Sequence, residues 1–483
     1  MSYKKFTKEV ALVAGTNSIM ALRAIILLPI ITKILGAREY GIWAQLVVIV
    51  SLVSPIIVLG LPYALVRFIS GEKDQKEIQD GIYSVAILVF AFSLVISFLL
   101  FFLAAPIANF LQCQAILIQM LAIIIIFECL NQVCLNTLRA FRKIKQYSFF
   151  IIFQGLGEIA LIVFFIWLGL GLFGAMAGLL AIRVINFLIT ACIIIRKIGI
   201  TIPVFSKTKN YLRFGLPTIP ENISNWLVHF NDRFLIGYFF GALFVGYYVP
   251  AYTIAGVIAF FETPLSFLLP PVLSKLYDEN NLGQVKRYLK YSLKYLLMVT
   301  IPAFFGLSIL SKQLLTIFST QEIVEKGHML IPFMALSMIL YGLYGVMLQG
   351  LVLVKKTLIL GKIWIGATCL NLALNLALIP HFGIIAAAIN TLASYLFVII
   401  VCSYFSLKYL PFEIDVMFIL KSILASAIMA MALAWLNPEG LMSTLIAIAA
   451  GVIIYGILII LFKGFGKKEL LFFKNLFKAE QVL

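Results

Sequence analysis

The 483-residue sequence has few of the side chains on which most enzymes depend. It contains three histidines and six cysteines, and no pair among them has the spacing of a zinc site or of a redox motif. The H-E-x-x-H, G-x-S-x-G and Walker A patterns are also absent. We therefore predict no catalytic residues, no metal and no cofactor, and a protein that is not an enzyme.

Charged residues are scarce as well, at 12% of the chain, and no polar stretch is long enough to form a soluble domain. This excludes an attached ATPase or a large extracytoplasmic catalytic loop. Hydrophobic residues make up 63% of the chain, which is more than a soluble protein of this length can bury. The sequence therefore indicates an integral membrane protein, most of whose surface contacts lipid.

The hydrophobic residues form fourteen segments that are each long enough to cross a bilayer as a helix. We number these predicted segments as spans 1 to 14. They cover residues 10–34, 42–70, 82–104, 113–138, 147–169, 171–196, 213–239, 245–273, 289–311, 327–354, 358–379, 383–407, 416–436 and 441–462. The predicted fold class is an all-α membrane protein.

Basic residues alternate between the connections that join these spans. Of the 37 lysines and arginines, 30 lie near the N-terminus, after even-numbered spans or in the C-terminal tail. Because basic connections stay in the cytoplasm, both termini are expected there. The net charge of +17 is dispersed over eight such stretches, which favours membrane topology and anionic lipids and argues against nucleic-acid binding.

A short motif, Gly-Ala-x-x-x-Gly-x-aromatic, occurs at residues 36–43 and again at residues 241–248. The same offset of 205 aligns Asn17 with Asn222, and an offset of 209 aligns Phe173 with Phe382. We predict two parallel six-span lobes, an N-lobe at 1–205 and a C-lobe at 206–410, then spans 13 and 14 with a basic cytoplasmic tail at 411–483. Parallel repeats of this kind usually bind substrate between the lobes.

Polar residues inside the spans are the candidate functional residues, because an isolated charge within a membrane is costly. Span 7 presents a polar stripe at helical spacing, made of Glu221, Asn222, Asn225, His229, Asp232 and Arg233. The stripe is expected to line a cavity, although contacts with neighbouring helices would explain it too. Smaller sets, such as Asn371 with Asn375, would suit sugar hydroxyls or contacts between helices.

The N-lobe has two arginines, Arg23 and Arg183, near the middle of spans 1 and 6. Glu128 and Glu158 lie at similar depth in spans 4 and 5, so an ion pair between Arg183 and Glu158 is one interpretation. Spans 1 and 2 offer no acidic partner to Arg23, which favours a cavity role for it. The candidates for a coupling carboxylate or for an ion pair are Asp232, Glu128, Glu158 and Glu262.

The fourteen spans, the repeated motif and the run from Gly215-Leu216-Pro217-Thr218 through Asn231-Asp232-Arg233 to Gly246-Tyr247-Tyr248 resemble a known family. It is the polysaccharide-biosynthesis branch of the multidrug/oligosaccharidyl-lipid/polysaccharide exporter superfamily, and O-antigen-type flippases are the best match. The resemblance implies a V-shaped, alternating-access transporter that moves undecaprenyl-diphosphate-linked oligosaccharide across a bacterial inner membrane. It also implies a role in O-antigen, capsule or exopolysaccharide assembly.

For such a substrate, Arg23 and Arg233 are expected to bind the diphosphate, because a guanidinium donates paired hydrogen bonds to phosphate. Arg183, Asn222, Asn225 and His229 would complete the cavity. The expected partners are the lipid-linked oligosaccharide, membrane lipids, a coupling proton or sodium ion, and a polysaccharide polymerase with its chain-length regulator.

Two other functions are open. A cation-coupled multidrug exporter of the same fold would generally carry an acidic residue in span 1, where this chain has Arg23. A membrane-embedded polysaccharide polymerase would need a large extracytoplasmic loop, and the odd-numbered connections are short and nearly uncharged.

Overall fold

The computed structural model describes residues 3–464, and within that range it contains helices and connecting turns but no strand. Most of the predicted basic tail lies outside the described residues. We number the α-helices in chain order. They are α1 (Tyr3–Ile57), α2 (Leu61–Ile69), α3 (Gln75–Phe102), α4 (Ala104–Leu111), α5 (Ala115–Ala140), α6 (Ile144–Trp167), α7 (Gly171–Ile198), α8 (Thr208–Gly215), α9 (Ile219–Phe240), α10 (Ala242–Ala255), α11 (Thr263–Asp278), α12 (Leu282–Ile309), α13 (Ser311–Phe318), α14 (Gln321–Gly327), α15 (Ile331–Leu353), α16 (Thr357–Phe382), α17 (Ile384–Tyr409), α18 (Val416–Leu436) and α19 (Leu441–Leu461).

Twelve stretches of the described residues are long and apolar enough to cross a membrane. Predicted span 1 and the first part of predicted span 2 lie in α1, which bends at Gly36, where φ is 85° and ψ is 175°. The rest of predicted span 2 includes α2. Predicted span 8 is divided into α10, a 3-10 helix at Gly256–Phe261 and α11. Pro264, near the start of α11, lacks the N–H group that a continuous helix would need. The multi-pass, all-helical fold is confirmed, whereas the count of fourteen spans stays a prediction.

Large apolar side chains remain exposed along these helices, as is expected where the solvent is lipid. On α19, Ile446, Val452 and Leu461 are 64%, 67% and 67% exposed. Polar side chains such as Asn186, Asn371 and Asn375 are instead buried within the protein. The fold therefore places its polar groups where other helices supply hydrogen-bond partners.

The described residues form two compact units. The first comprises residues 3–253, 318–326 and 361–394, and the second comprises residues 254–317, 327–360 and 395–464. In the first unit α9 contacts α1, so helices from both sides of the predicted boundary at residue 205 pack together. In the second unit α18, which corresponds to predicted span 13, packs on α12 and α19. The two predicted lobes stay a prediction.

The two copies of the repeated motif contact each other within the first unit. Gly36 and Gly241 both have positive φ, at 85° and 83°, a conformation that favours glycine. A Cβ atom on Gly41 would overlap the backbone of Ala242, and a Cβ atom on Gly246 would overlap the carbonyl of Ala37. The sixth residue of each copy thus contacts the second residue of the other, as in a two-fold arrangement.

The variant Gly246→Ala should lower the thermal unfolding temperature of the purified protein, because its methyl group would push against a backbone carbonyl that has little room to move. The expected loss is about 1–3 kcal/mol of unfolding free energy. Gly306→Ala in α12 is the matched control, since no atom lies within 4 Å of the added Cβ. The control should be neutral or stabilising, because alanine favours a helix over glycine. Equal behaviour of the two variants would contradict the close contact.

Candidate functional site

Four charged side chains meet inside the first unit, and each comes from a different helix. Arg23 of α1 donates from Nη1 to Glu158 Oε2 of α6 at 2.6 Å. The same carboxylate oxygen lies 3.2 Å from Nη2 of Arg183 on α7. Glu128 Oε2 on α5 lies 2.6 Å from Arg183 Nε. We call these four residues the charge cluster, and its two cations and two carboxylates are balanced.

The members of the charge cluster differ in their exposure. The Glu158 side chain is 5% exposed and the Arg183 side chain is 10% exposed, whereas those of Glu128 and Arg23 are 19% and 28% exposed. Arg23 is therefore the most accessible cation in the cluster. A ligand that reaches the cluster from its open side would meet this guanidinium before it met the buried carboxylate.

Arg183 retains unused hydrogen-bonding capacity. Its buried Nη1 has no hydrogen-bond partner in the described part of the chain. Its Nε lies 2.6 Å from Glu128 Oε2, so this carboxylate occupies that side of the guanidinium. A buried donor without a partner is rare and costly. Nη1 therefore favours a site that takes a further hydrogen-bond acceptor.

An amide network supports the helix that carries Arg183. Asn131 Nδ2 donates to the backbone carbonyl of Arg183 at 2.8 Å. Asn186 Nδ2 donates to Asn131 Oδ1 and to Gln154 Oε1, each at 2.9 Å. These contacts join α5, α6 and α7. Asn131 and Gln154 are therefore polar residues that join membrane helices.

A second polar junction joins α9, α16 and α17 through uncharged amides. Asn231 Nδ2 donates to Asn371 Oδ1 at 2.9 Å, and Asn375 Nδ2 donates to Asn231 Oδ1 at 2.8 Å. Asn390 Nδ2 donates to Asn375 Oδ1 at 3.0 Å. Each of these four asparagines is at most 5% exposed. We call this group the amide junction.

The repeat does not align the amide junction with the charge cluster. The offset of 205 aligns Arg23 with Val228, and the offset of 209 aligns Arg183 with Leu392. The contacts of Asn231 and Asn390 were not predicted from the sequence, because helical spacing does not specify which faces of different helices meet.

Asp232 and Arg233, two other residues that were predicted in span 7, have separate sets of partners. Asp232 is 1% exposed, and its carboxylate accepts hydrogen bonds from the Tyr248 hydroxyl and from the backbone N–H of Arg233. The Arg233 guanidinium lies over the rings of Phe230 and Tyr252, at 4.8 and 4.7 Å. Such cation–π contacts hold a guanidinium within an apolar region.

Two further candidates from the sequence, His229 and Glu262, make contacts outside the charge cluster. The His229 ring lies 6.3 Å from the ring of Trp364. Glu262 belongs to the second unit, where its carboxylate lies against the backbone of α15 at Gly345. The side chains of Asn222 and Asn225 lie outside the described residues. Of the ten predicted site residues, the structure brings together Arg23, Arg183, Glu128 and Glu158.

Comparison with known proteins places the chain among polysaccharide biosynthesis proteins. The sequence model of the family described as "Polysaccharide biosynthesis protein" matches residues 30–325. A curated relative, the "Probable low-salt glycan biosynthesis flippase Agl15" of Haloferax volcanii, is 24% identical over 236 residues. This alignment covers 47% of the chain and 50% of the relative, so the chain matches half the length of that protein.

Solved structures have the same fold. The lipid II flippase MurJ in an inward closed conformation superposes with a TM-score of 0.74 at 18% identity, covering 93% of this chain and 98% of that one. An inward-facing multidrug resistance MATE family transporter of the MOP superfamily gives 0.68 at 17% identity, covering 81% and 94%. At these identities the likeness concerns the fold, and it confirms the predicted fold class.

The variant Glu158→Gln should destabilise the protein, because it leaves Arg23 and Arg183 without the carboxylate that they share. Removal of one partner of a buried ion pair lowers the free energy of unfolding by about 3 kcal/mol. The measurement is thermal unfolding in detergent, with Glu413→Gln as the control, since Glu413 is 85% exposed in its pair with Lys290 and should not affect stability measurably. The double variant Glu158→Gln/Arg183→Gln should lose less than the sum of its single variants. Strict additivity would show that the two residues are not coupled.

Proposed function

The chain belongs to the family of polysaccharide biosynthesis proteins, and we propose that it is a flippase for polyprenyl-diphosphate-linked oligosaccharides. In this proposal, repeat units assembled on the cytoplasmic leaflet are moved to the opposite leaflet by alternating access. The observation that carries the proposal is a partly exposed arginine, Arg23, paired with a buried glutamate within membrane-spanning helices.

The chemistry of the charge cluster fits a diphosphate linker. Two guanidinium groups supply fixed positive charge and planar sets of donors, which match phosphate oxygens and stay charged at physiological pH. Arg183 adds a buried Nη1 donor that has no hydrogen-bond partner in the described part of the chain. A sugar without a charged linker would have no need of two cations in this environment, where each is costly.

Glu158 provides a way to release the diphosphate from Arg23. A diphosphate that engages Arg23 has to compete with this carboxylate, which already accepts a hydrogen bond from Arg23 at 2.6 Å. Displaced from Arg23, Glu158 keeps its second contact, at 3.2 Å with Arg183. In our proposal, the carboxylate and the diphosphate thus compete for Arg23, and the return of Arg23 to Glu158 expels the diphosphate.

The cellular role follows from the same proposal. The product would serve O-antigen, capsule or exopolysaccharide assembly at a bacterial inner membrane, with both chain termini in the cytoplasm. A polysaccharide polymerase and a chain-length regulator would consume the translocated units. Members of the family that move glycans for other surface polymers would use the same diphosphate chemistry, so the site itself does not select the sugar.

Transport by the purified protein in liposomes tests the role of Arg23. We expect Arg23→Gln to reduce translocation of a fluorescent polyprenyl-diphosphate oligosaccharide by about 100-fold, because hydrogen bonds to charged groups contribute about 1.5–3 kcal/mol each. Arg23→Lys should retain part of the activity, because lysine keeps the positive charge but lacks the planar guanidinium that donates paired hydrogen bonds. Arg38→Gln removes the same charge from an exposed position on the same helix and should transport normally.

Two outcomes of that experiment would contradict the proposal. Normal translocation by Arg23→Gln would remove the charge cluster from the substrate path. Export of a cationic dye, with no translocation of the lipid-linked oligosaccharide by the native protein, would support the multidrug exporter instead.

Ligand-induced stabilisation tests the competition between Glu158 and the substrate. A polyprenyl diphosphate should raise the unfolding temperature of Glu158→Gln by more than it raises that of the native protein, because the variant binds without displacing a carboxylate. Its translocation should be slower, since the step that expels the diphosphate is lost. An equal or smaller ligand-induced shift in the variant would show that Glu158 does not compete for Arg23.

A further inference from the structure

A cleft of about 640 Å³ opens in the second unit, where the first turns of α12 face the segment that enters α18. Its walls are formed by Lys286, Arg287, Lys290, Tyr291, Pro411, Phe412 and Glu413. The basic connections predict that this end of α12 faces the cytoplasm. The cleft is separate from the charge cluster, which belongs entirely to the first unit.

Positive charge dominates the cleft, with three basic side chains and one carboxylate. Lys290 Nζ donates to Glu413 Oε2 at 2.6 Å, so this pair is neutral. No ion pair in the described part of the chain joins Lys286 or Arg287 to a carboxylate. The Arg287 guanidinium lies 5.7 Å from the ring centre of Tyr291, which supports it in place. Two cations therefore remain for an anionic ligand.

The wall opposite α12 is held firmly by a second set of contacts. Lys294, one turn beyond Lys290, lies 3.5 Å from Asp415 and has a side chain that is only 6% exposed. Its ammonium also lies 4.8 Å from the ring centre of Phe418. Asp415 accepts a hydrogen bond from the backbone N–H of Phe418 at 3.0 Å and so caps α18. The cleft is therefore preformed, and a ligand has no large ordering cost to overcome.

The chain that lines the cleft at Phe412 leads directly into α18, whose first turns carry exposed apolar side chains. Val416, Met417 and Leu420, in the first turns of α18, are 59%, 62% and 58% exposed. In a membrane-spanning helix these side chains contact acyl chains. A ligand that fits both regions has an anionic phosphate at the membrane surface and hydrocarbon below it, which is the chemistry of a phospholipid.

We propose that this cleft binds the phosphate headgroup of an anionic phospholipid, with Lys286 and Arg287 as the cations that hold it. Basic pockets at the cytoplasmic ends of membrane helices are suited to such headgroups. The bound lipid would lie where the segment 411–415 joins α12 to α18. It would thereby connect the pair formed by α18 and α19 to the rest of the second unit.

Native mass spectrometry of the full-length protein, titrated with phosphatidylglycerol or phosphatidylcholine, tests this site. We expect retention of phosphatidylglycerol in preference to phosphatidylcholine. The variant Lys286→Gln/Arg287→Gln should weaken that retention at least about tenfold. The matched control Lys355→Gln/Lys356→Gln removes the same charge from another exposed connection in the second unit and should leave retention unchanged.

Three results would overturn the assignment. Equal weakening by both double variants would show that retention reflects overall charge and not this cleft. Equal retention of the two lipids would show that the phosphate charge is not what the protein recognises. Displacement of phosphatidylglycerol by millimolar inorganic diphosphate would identify the ligand as a soluble phosphate compound. Transport activity does not enter these measurements, so they are independent of the proposed flippase function.

Discussion

A charge inside a membrane protein has to be neutralised close to where it lies, and the first unit depends on this constraint. Glu158 contacts both Arg23 and Arg183, and Arg183 also contacts Glu128. Because α1, α5, α6 and α7 each contribute one of these charges, the ion pairs bring four helices to one place. Apolar faces alone would pack in several rotations within lipid, where the hydrophobic effect does not distinguish them. The ion pairs favour one rotation of each helix, the one that brings its charge into the cluster.

A second group of helices in the first unit meets through uncharged side chains. Hydrogen bonds between the amides of Asn231, Asn371, Asn375 and Asn390 join α9, α16 and α17. A neutral network can be fully satisfied in a buried place and needs no counter-ion. An ion pair, by contrast, can exchange one partner for a charged ligand. The first unit therefore has one junction that joins helices and one that, in our proposal, responds to an anion.

Glycine allows the two repeated motifs to meet. The contact of Gly41 with Ala242, and of Gly246 with Ala37, brings backbone against backbone, where any side chain would intervene. Close packing through small residues is the usual way in which membrane helices associate, because van der Waals contact replaces the missing hydrophobic effect. The glycines that make the motif recognisable in the sequence are thus the residues that bring its two copies together.

The sequence alone determined the fold class, the membrane topology that it predicts and the identities of the buried charges, because hydropathy and charge alternation are local properties of the chain. It also indicated the repeat. It did not determine the partner of Arg23, since Glu158 lies 135 residues away on a helix that is not adjacent in sequence. It also did not determine that Asn231 and Asn390 both bond to Asn375. Only the tertiary structure decided these pairings, because they depend on which faces of distant helices meet, and helical periodicity specifies a face without specifying its neighbour.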